Sequence, residues 1–296
     1  MKSVNIEDKI IKMKTSKIVK FCFEKNILKQ KQCCYHCNTN MKLVKAQTFK
    51  ERKAWRCINS LCSKYQNRVS IRRGSFFESF KIKLKKILRI LIRWSENQTQ
   101  KLIMNKLNVS YAVLRKVLDK IIEKIKLYNE QNPIVIGGYN KFVEIDETMM
   151  NFKCKSHKGR SANNKTDAIC LIEYDNKITK CYAEVIKDKT IGTILPIINR
   201  VVIPGSLIFT DEHKSYQNLN KQGFLHGTVC HKYEFLNKET GANTQAVESF
   251  NNYLKYWIKF KKGVETHRRS DFLVEFTWKF NHKNKIFKKL LDLLKI

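Results

Sequence analysis

The short segment 142–148, Phe-Val-Glu-Ile-Asp-Glu-Thr, constrains the fold of this 296-residue chain more than any other. In a β-strand, Val143 and Ile145 would point to one side, and Glu144 and Asp146 to the other. Because the apolar side would pack in a core, carboxylates on the opposite side need a positive partner, and a divalent cation is the usual one. A solvated edge strand with ordinary surface acids explains the same pattern, and this segment alone leaves both interpretations open.

The charge of the chain indicates a polyanionic partner. It contains 59 Lys and Arg residues against 26 Asp and Glu residues, so its formal net charge is +33 at pH 7. Nucleic acid is the commonest partner of so basic a protein. A lysine-rich coding bias would also raise the charge without any ligand, and it accounts for part of the excess.

The ten cysteines predict metal binding rather than disulfide bonds. The first residues, Met1–Asp8, contain no apolar signal-peptide core, so an exported disulfide scaffold is not expected. No run approaches the roughly 18 apolar residues of a membrane span. We therefore expect a protein of a reducing compartment that has no membrane partner.

Four clustered cysteines predict a structural zinc site. They form two pairs, Cys34 with Cys37 and Cys57 with Cys62. Apolar runs between the pairs suit the strands of a zinc ribbon over residues 31–72, and four thiolates leave no open coordination position for catalysis. Cys33 and His36 are competing ligands, and four incidental buried cysteines are the alternative.

Residues 73–132 are expected to form a helical DNA-binding domain, in which apolar residues recur at helical spacing between basic ones. A short helix is followed by a turn in which Ser110 can cap a longer basic helix. This order makes a helix-turn-helix candidate that would place Arg115 and Lys116 near DNA. Any three-helix bundle gives a similar pattern, so the motif is not specific.

Beyond Pro133 the pattern changes to that of an α/β domain. After the acidic strand we expect strands at 168–174 and 178–185, a helix at 190–202, a buried strand ending at Asp211, a helix at 214–222 and another opening at 243–248. This order predicts an α/β fold with an RNase H-like core. The complete expected division is a basic lead-in over 1–30, the ribbon over 31–72, the helix-turn-helix domain over 73–132, the RNase H-like core over 138–262 and C-terminal helices over 263–296.

Three acids occupy the positions at which such a core gathers carboxylates: Asp146 on one strand, Asp211 on a second and Glu248 on a helix. Acids placed in this way converge on two divalent ions, which serve phosphoryl transfer. Ligands that offer only oxygen atoms argue for magnesium or manganese. Lys255 lies seven residues after Glu248 and shares its helix face. Glu275, within an apolar helix, is an alternative third acid.

These motifs, in this order, resemble those of the Merlin-type DDE transposases, which share the ISXO-like transposase domain of bacterial insertion sequences. The similarity is carried by Val143–Thr148, Thr210–Tyr216, Gly223 with His226 and His231, Asn243 with Val247–Glu248 and Leu254–Lys255, and Phe272–Asn281. It extends over roughly residues 30–285 and includes the upstream ribbon and helices. The resemblance implies that Asp146, Asp211 and Glu248 are the catalytic, metal-binding triad and that Lys255 is the basic residue after it. His213 departs from the family, where an aromatic is usual, but no metal ligand is lost.

Several other polar residues are candidates for weaker roles. A basic loop offers phosphate contacts through His157 and Arg160, although charged loops are usually only solvated. His226, Cys230 and His231 fall one ligand short of a second zinc site. We expect a structural or DNA-contacting role for these three residues.

The sequence therefore predicts a DNA transposase. Its ribbon and helix-turn-helix would bind terminal inverted repeats, and its core would cut the transposon end and join it to target DNA with two magnesium or manganese ions. Because both ends must be held together, a homodimer or larger assembly is expected on DNA. In a eukaryotic host the protein would be expected in the nucleus, and the basic run Lys81–Arg89 is a candidate nuclear localisation signal. In any other host it would be expected in the cytoplasm or nucleoid.

Two other functions remain open at this point. A domesticated transposase or a zinc-ribbon DNA-binding protein would explain the charge, the cysteines and the helices without catalysis. An RNase H-like nuclease of repair or RNA processing would share the three acids, but it would not need the upstream DNA-binding modules.

Overall fold

The computed structural model describes residues 4–139, 141–151, 165–229 and 244–296. These residues fall into two compact units, one formed by 1–124 with 284–296 and the other by 125–283. The segment 263–296, where the sequence predicts C-terminal helices, has residues in both units. No helix within the described residues combines the length and the apolar character needed to cross a membrane.

The first unit contains a small antiparallel sheet in the order β1–β2–β3. Its strands are β1 (Lys42–Lys45), β2 (Lys53–Arg56) and β3 (Arg68–Ser70). Ala54 and Trp55 of the central strand are buried, and Trp55 packs edge-on against Phe23 at 6.3 Å between ring centroids. The sheet lies in the segment where the sequence predicts a ribbon.

Most helices of the first unit pack against one central helix, α3. The helices of this unit are α1 (Val4–Lys12), α2 (Thr15–Glu24), α3 (Leu84–Ser95), α4 (Gln100–Leu107), the first part of α5 (Tyr111–Gln131) and, from the far end of the chain, the helix Ile286–Leu293. α3 is buried on most of its circumference, as expected of a helix with apolar residues on several sides. Arg89 and Arg93 of α3 both bind the Glu7 carboxylate of α1, at 2.8 and 2.9 Å. The basic lead-in is therefore part of this core, and Arg89 of the candidate nuclear signal is bound within it.

A short connection separates α4 from α5, as the helix-turn-helix interpretation requires. Thr99 caps α4 through a bond from the Leu102 amide, and Asn108 ends it in the left-handed conformation, with φ of 46°. The Ser110 hydroxyl accepts a bond from the Val113 amide at 3.4 Å. Asparagine tolerates the left-handed region better than most residues, which explains why the helix ends there.

A buried ion pair joins the small sheet to α3. Arg72 donates to both carboxylate oxygens of Glu51 and to the carbonyls of Phe80 and Ile82 at 2.6 and 2.7 Å. Glu51 also accepts a bond from the Leu84 amide at the start of α3, at 3.2 Å. Both charges are almost fully buried, so each depends on the other.

Replacing Arg72 with methionine should lower the free energy of unfolding by about 3–5 kcal/mol, because it leaves the Glu51 carboxylate buried without its cation. Urea unfolding of the full chain measures the loss. The control is Arg73→Met, since Arg73 is exposed and its guanidinium lies over the Tyr35 ring, 5.2 Å from the centroid. Equal losses for the two variants would contradict the assignment.

The second unit is built on a five-stranded sheet with the order β10–β9–β5–β6–β7. Its strands are β5 (Phe142–Met149), β6 (Asp167–Asp175), β7 (Lys177–Ile186), β9 (Leu207–Asp211) and β10 (Leu225–Val229), while a separate parallel pair joins β4 (Ile136–Gly137) to β8 (Val202–Ile203). Strands β5, β6 and β7 are antiparallel neighbours, whereas β9 runs parallel to both β5 and β10. This mixed α/β arrangement is the one expected of an RNase H-like core.

Helices cover both faces of the large sheet. They are α6 (Ile191–Val201), α7 (Gln245–Phe260) and α8 (Arg269–Asn281). Val143 and Ile145 pack with α6 on one face, and Cys170 and Ile172 pack with α7 and α8 on the other. The predicted helix 214–222 is wrong: two short 3₁₀ turns, Lys214–Tyr216 and Leu219–Gln222, take its place. Serine and asparagine compete for backbone hydrogen bonds there and favour turns over a continuous helix.

Candidate active site

Asp146 and Asp211 lie at neighbouring positions on two parallel strands. Glu144 of β5 is in register with Phe209 of β9, and each aspartate follows two residues later on its strand. Residues two apart share a face of a sheet, and adjacent strands are about 4.8 Å apart. The two carboxylates therefore stand side by side on the face that carries α7.

The first turn of α7 is attached to the acidic strand. Glu144, which is fully buried, accepts a hydrogen bond from the Val247 amide at 2.8 Å. A carboxylate beside the N-terminus of a helix accepts hydrogen bonds from the unpaired backbone amides there and is stabilised by the positive end of the helix dipole. Since Glu248 is in the same first turn, this contact holds the start of its helix against the sheet face that carries Asp146, where the charge of Glu248 acts on Glu144.

A second contact joins α7 directly to Asp146. The Asn251 side-chain amide donates to Oδ2 of Asp146 at 2.7 Å, and the Glu147 backbone amide donates to Oδ1 at 2.8 Å. Both carboxylate oxygens are therefore held by donors from different elements. The orientation of Asp146 is fixed before any ligand arrives.

The buried acids in this cluster hold their protons tightly. Burial, together with the nearby charges of Glu147 and Asp211, raises the pKa of Asp146 to about 6. Burial also raises the pKa of Glu144 to about 7. The backbone amides at the start of α7 lower this pKa, and the negative charge of Glu248 raises it. Carboxylates that repel one another in a shielded site are stabilised in their charged form by a cation.

The donor set fits a hard divalent cation. Asp146, Asp211 and Glu248 offer only carboxylate oxygens, as magnesium and manganese prefer. Two buried oxygens near Asp146, Oδ1 of Asn251 and Oγ1 of Thr148, accept no hydrogen bond from the described residues. The site therefore combines repelling carboxylates with spare oxygen acceptors, which is the chemistry that a bound cation or its waters would satisfy.

Asn251 is a functional candidate that the sequence interpretation did not identify. It stands three residues after Glu248, within the buried stripe that includes Val247, Phe250 and Leu254. An amide inside an apolar helix stripe is costly unless it has a partner. That polar interruption was the available signal, but its partner on another element could not be read from spacing.

Replacing Asn251 with alanine should weaken divalent-cation binding about 10- to 100-fold, as loss of residues that orient metal ligands commonly does. Isothermal titration with manganese measures the change. Asn252→Ala is the matched control, because Asn252 is the exposed neighbour on the same helix. Similar affinities for the two variants would remove Asn251 from the site.

Glu147 forms a second network on the opposite face of β5. Its carboxylate accepts hydrogen bonds from the Tyr216 hydroxyl and from Lys189 at 3.3 Å. The Ser215 hydroxyl donates to the Lys189 carbonyl at 2.6 Å. This network ties the turn after Asp211 to β5 and so supports the spacing of the two aspartates.

The remaining predicted site residues lie in varied environments. Lys255 is exposed on α7. Arg115 pairs with Asp119 at 3.1 Å, and Lys116 donates to the Ser79 carbonyl at 2.9 Å. His157 and Arg160 lie outside the described residues.

Two further residues considered in the sequence analysis make contacts within the second unit. Glu275, the alternative third acid, is half-buried and forms ion pairs with Lys261 and Lys279 at 3.2 and 2.9 Å. His226 shares a hydrogen bond of 2.9 Å with the Thr210 hydroxyl, one residue before Asp211. Cys230 and His231, which were considered with His226, lie outside the described residues.

The four paired cysteines come together in the first unit. The Sγ atoms of Cys34, Cys37, Cys57 and Cys62 all lie within 4.8 Å of one another. Two of the separations, Cys34 to Cys62 and Cys37 to Cys57, are 3.9 and 3.8 Å. These are too long for disulfides and match the roughly 3.8 Å between sulfurs in a tetrahedron with Zn–S bonds of about 2.3 Å.

The neighbouring candidate ligands are turned to other partners. Cys33 is exposed and directs its Sγ to the Asn40 side chain at 3.5 Å. His36 packs against the Tyr35 ring, with 4.1 Å between centroids. Hydrogen bonds with Thr39 lower the pKa of the Cys37 thiol to about 6, which favours the thiolate that binds metals.

Comparison with known proteins gives one matching family and one similar protein. Residues 137–281 match the family described as ISXO2-like transposase domain. An uncharacterized transposase-like protein of Haemophilus influenzae is 29% identical over 116 residues, which span 39% of this chain and 91% of that protein.

Solved structures give only weak overlaps. The Mos1 transposase paired-end complex with left transposon end is 13% identical, with a TM-score of 0.23, over 70% of this chain and 78% of that one. The Mos1 strand transfer complex is 11% identical, with a TM-score of 0.22, over 69% and 76%.

Proposed function

We propose that this chain, whose residues 137–281 match the ISXO2-like transposase domain, is a DNA transposase that cuts transposon ends and joins them to target DNA. The observation that carries the proposal is the bond from Asn251 to Asp146. It links the helix of Glu248 to the strand of Asp146, with Asp211 on the adjacent strand. Acids carried on these three neighbouring elements suit phosphoryl transfer, whereas simple DNA binding has no use for them.

In this proposal Asp146, Asp211 and Glu248 hold two magnesium or manganese ions. When bound, such ions activate the attacking oxygen and stabilise the leaving oxygen of an in-line displacement. Asn251 keeps the Asp146 carboxylate in one orientation, and Glu144 keeps the start of α7 against β5. Fixed ligands of this kind reduce the reorganisation needed when the DNA arrives.

The reaction would proceed in two displacements at phosphorus. Water first attacks the phosphodiester at the transposon end, so that the bond to the 3′ oxygen breaks and a free 3′-OH remains. That hydroxyl then attacks a phosphodiester of target DNA, joining the two strands and releasing a 3′-OH from the target. Neither step needs a covalent enzyme intermediate.

The first unit would recognise the transposon ends. The cysteine cluster would hold a structural zinc ion, and α4 and α5 would act as a helix-turn-helix on the terminal inverted repeat. The net charge of +33 supports contact with phosphates. Two ends must be held together during joining, so we propose a homodimer or larger assembly on DNA.

The proposal is tested by incubating the purified chain with a duplex that carries its element's end, a target plasmid and manganese. Metal-dependent nicking at the end, followed by joined product, is the expected result. Cleavage without joining would favour an RNase H-like nuclease. Specific binding with no cleavage would favour the non-catalytic, domesticated DNA-binding protein.

A further inference from the structure

Helix α7 carries a row of exposed aromatic rings beside the stripe that it buries. Tyr253, Tyr256 and Phe260 expose 43%, 56% and 42% of their surfaces. The core positions of α7 are already filled by other residues, including Val247 and Leu254. The aromatic row is therefore an outward surface of a helix that is already packed.

The rings of this row are held in nearly parallel orientation. The planes of Tyr253 and Tyr256 differ by 13°, and those of Tyr256 and Phe260 by 23°. Trp257 supports the row from the side, with centroids 5.9 Å from Tyr256 and 5.1 Å from Phe260. Tyr253 also rests on Phe276 at 5.7 Å. The packing fixes the direction in which the free ring faces point.

A basic row runs along α7 beside the rings. Lys255 and Lys259 are exposed and follow Glu248 by seven and eleven residues, or about two and three helical turns. They therefore lie on the same side of α7 as the proposed catalytic acid. Neither forms an ion pair with an acid in the part of the chain that the structure describes, so both ammonium groups are available to an anion.

The positive charge beside the rings indicates which kind of partner binds over them. A second copy placed on this face would bring the lysine rows of two strongly basic chains together and would be repelled. A nucleic-acid strand would instead place its phosphates on the lysines. Its bases could stack on the ring faces only where they are unpaired, because a duplex encloses them.

We propose that the outward face of α7, formed by Tyr253, Tyr256, Phe260, Lys255 and Lys259, binds a single-stranded segment of DNA beside the active site. This inference rests on the proposed function, which makes DNA the substrate. It adds that the strand next to the cut is unpaired and that its bases are held by stacking. An unpaired strand would reach the acids more easily than one confined in a duplex.

The test is the affinity for a fluorescein-labelled oligothymidylate and for a blunt duplex of equal length, measured by anisotropy without added divalent cations. The double variant Tyr256→Ala/Phe260→Ala should bind the single strand at least about tenfold more weakly, as loss of a stacking ring does. Its duplex affinity should stay within about threefold. Tyr128→Ala on α5 is the matched control, since Tyr128 is 42% exposed.

Further variants separate stacking from folding and from charge. Tyr256→Phe keeps the ring and should bind the single strand like the wild type, whereas Tyr256→Leu keeps apolar bulk and should not. Lys259→Ala should weaken both DNA forms and reduce the salt dependence of binding. Circular dichroism confirms that each variant is folded before its affinity is compared.

Three results would overturn the inference. The double variant could keep its single-strand affinity and its oligomeric state, it could lose affinity equally for duplex and single strand, or it could change oligomeric state while its single-strand affinity stays the same. The last would assign the ring row to contact with a second copy. Asp146→Asn protein should retain the single-strand binding. Loss of cleavage and loss of stacking are therefore separate outcomes, and failure of one proposal does not imply failure of the other.

Discussion

Replacing Asp211 with asparagine should abolish strand cleavage, whereas replacing its neighbour Glu212 with glutamine should leave it nearly unchanged. Both substitutions remove one negative charge with little change in shape. Asp211 faces Asp146 in the acidic cluster, while Glu212 is exposed. Loss of a proposed metal ligand should cost more than about 100-fold in cleavage rate, because groups that only orient such ligands already cost about 10- to 100-fold.

The measurement is single-turnover cleavage of an end duplex in manganese, with manganese affinity determined in parallel. Asp146→Asn and Glu248→Gln should lose activity to a similar extent, since the three acids would act as one unit. Full activity in Asp211→Asn, or an equally large loss in Glu212→Gln, would show that the cluster is not the site of the chemistry.

Asp146→Asn should also change stability in the direction opposite to activity. The pKa of Asp146 is raised to about 6, above the ordinary value for aspartate, so its contribution to stability is present in acid and is lost as pH rises through 6. Asparagine has no charge to lose. Without divalent cations the variant should therefore exceed the wild type in unfolding free energy by about 1–3 kcal/mol at pH 7.5, with little difference at about pH 3.5, below the ordinary pKa of aspartate.

Urea unfolding at both pH values measures this difference, and excess manganese should remove or reverse it, because the cation stabilises the charged wild-type cluster. Identical stabilities at pH 7.5 without cation would mean that Asp146 is not under electrostatic stress in the folded protein.

The main elements of the second unit could be predicted from the sequence because each depends on a local pattern. The alternation in Phe142–Thr148 gives a strand with one acidic face, and strands β6 and β7 meet through the Asp175–Asn176 turn as expected. Asn176 takes φ of 54°, which asparagine tolerates in a tight turn. The strand that ends at Asp211 is likewise defined by its own apolar run.

Contacts between elements could not be predicted in the same way. Nothing in the spacing shows that Glu144 meets the start of α7 or that Asn251 meets Asp146, since these pairs are more than 100 residues apart. The lead-in shows the same limit: a lysine-rich composition conceals Ile10, Ile18 and Val19, which are fully buried. Burial of those residues depends on partners in α3 that only the folded chain supplies.

The cysteine site lies between these two cases. Pair spacing predicts which four residues meet, because two ligands within a short turn must face the same ion. Spacing alone does not decide between Cys33 and Cys34, which are adjacent. The fold decides it: Cys34 is buried, whereas Cys33 is exposed and bonded to Asn40.

Removal of zinc from this cluster should therefore unfold the small sheet, and the adjacent cysteines provide a matched test. Structural zinc contributes about 10–16 kcal/mol of apparent binding energy in small zinc domains at neutral pH, which exceeds what three short strands can supply by packing. Cys34→Ser should lose the bound zinc and the protection of β1, β2 and β3 against hydrogen exchange. Cys33→Ser should keep one zinc per chain and unchanged protection.

The strands of the second unit should keep their protection in both variants, because β5, β6 and β7 have a core of their own. Zinc content by atomic emission and hydrogen exchange by mass spectrometry give the two readouts. A wild-type chain purified without zinc, or equal protection of the small sheet in Cys34→Ser and Cys33→Ser, would show that packing rather than metal holds this part of the protein together. Chelation of the wild type should reproduce the Cys34→Ser pattern, since either treatment leaves the remaining thiolates close together without a cation to offset their repulsion.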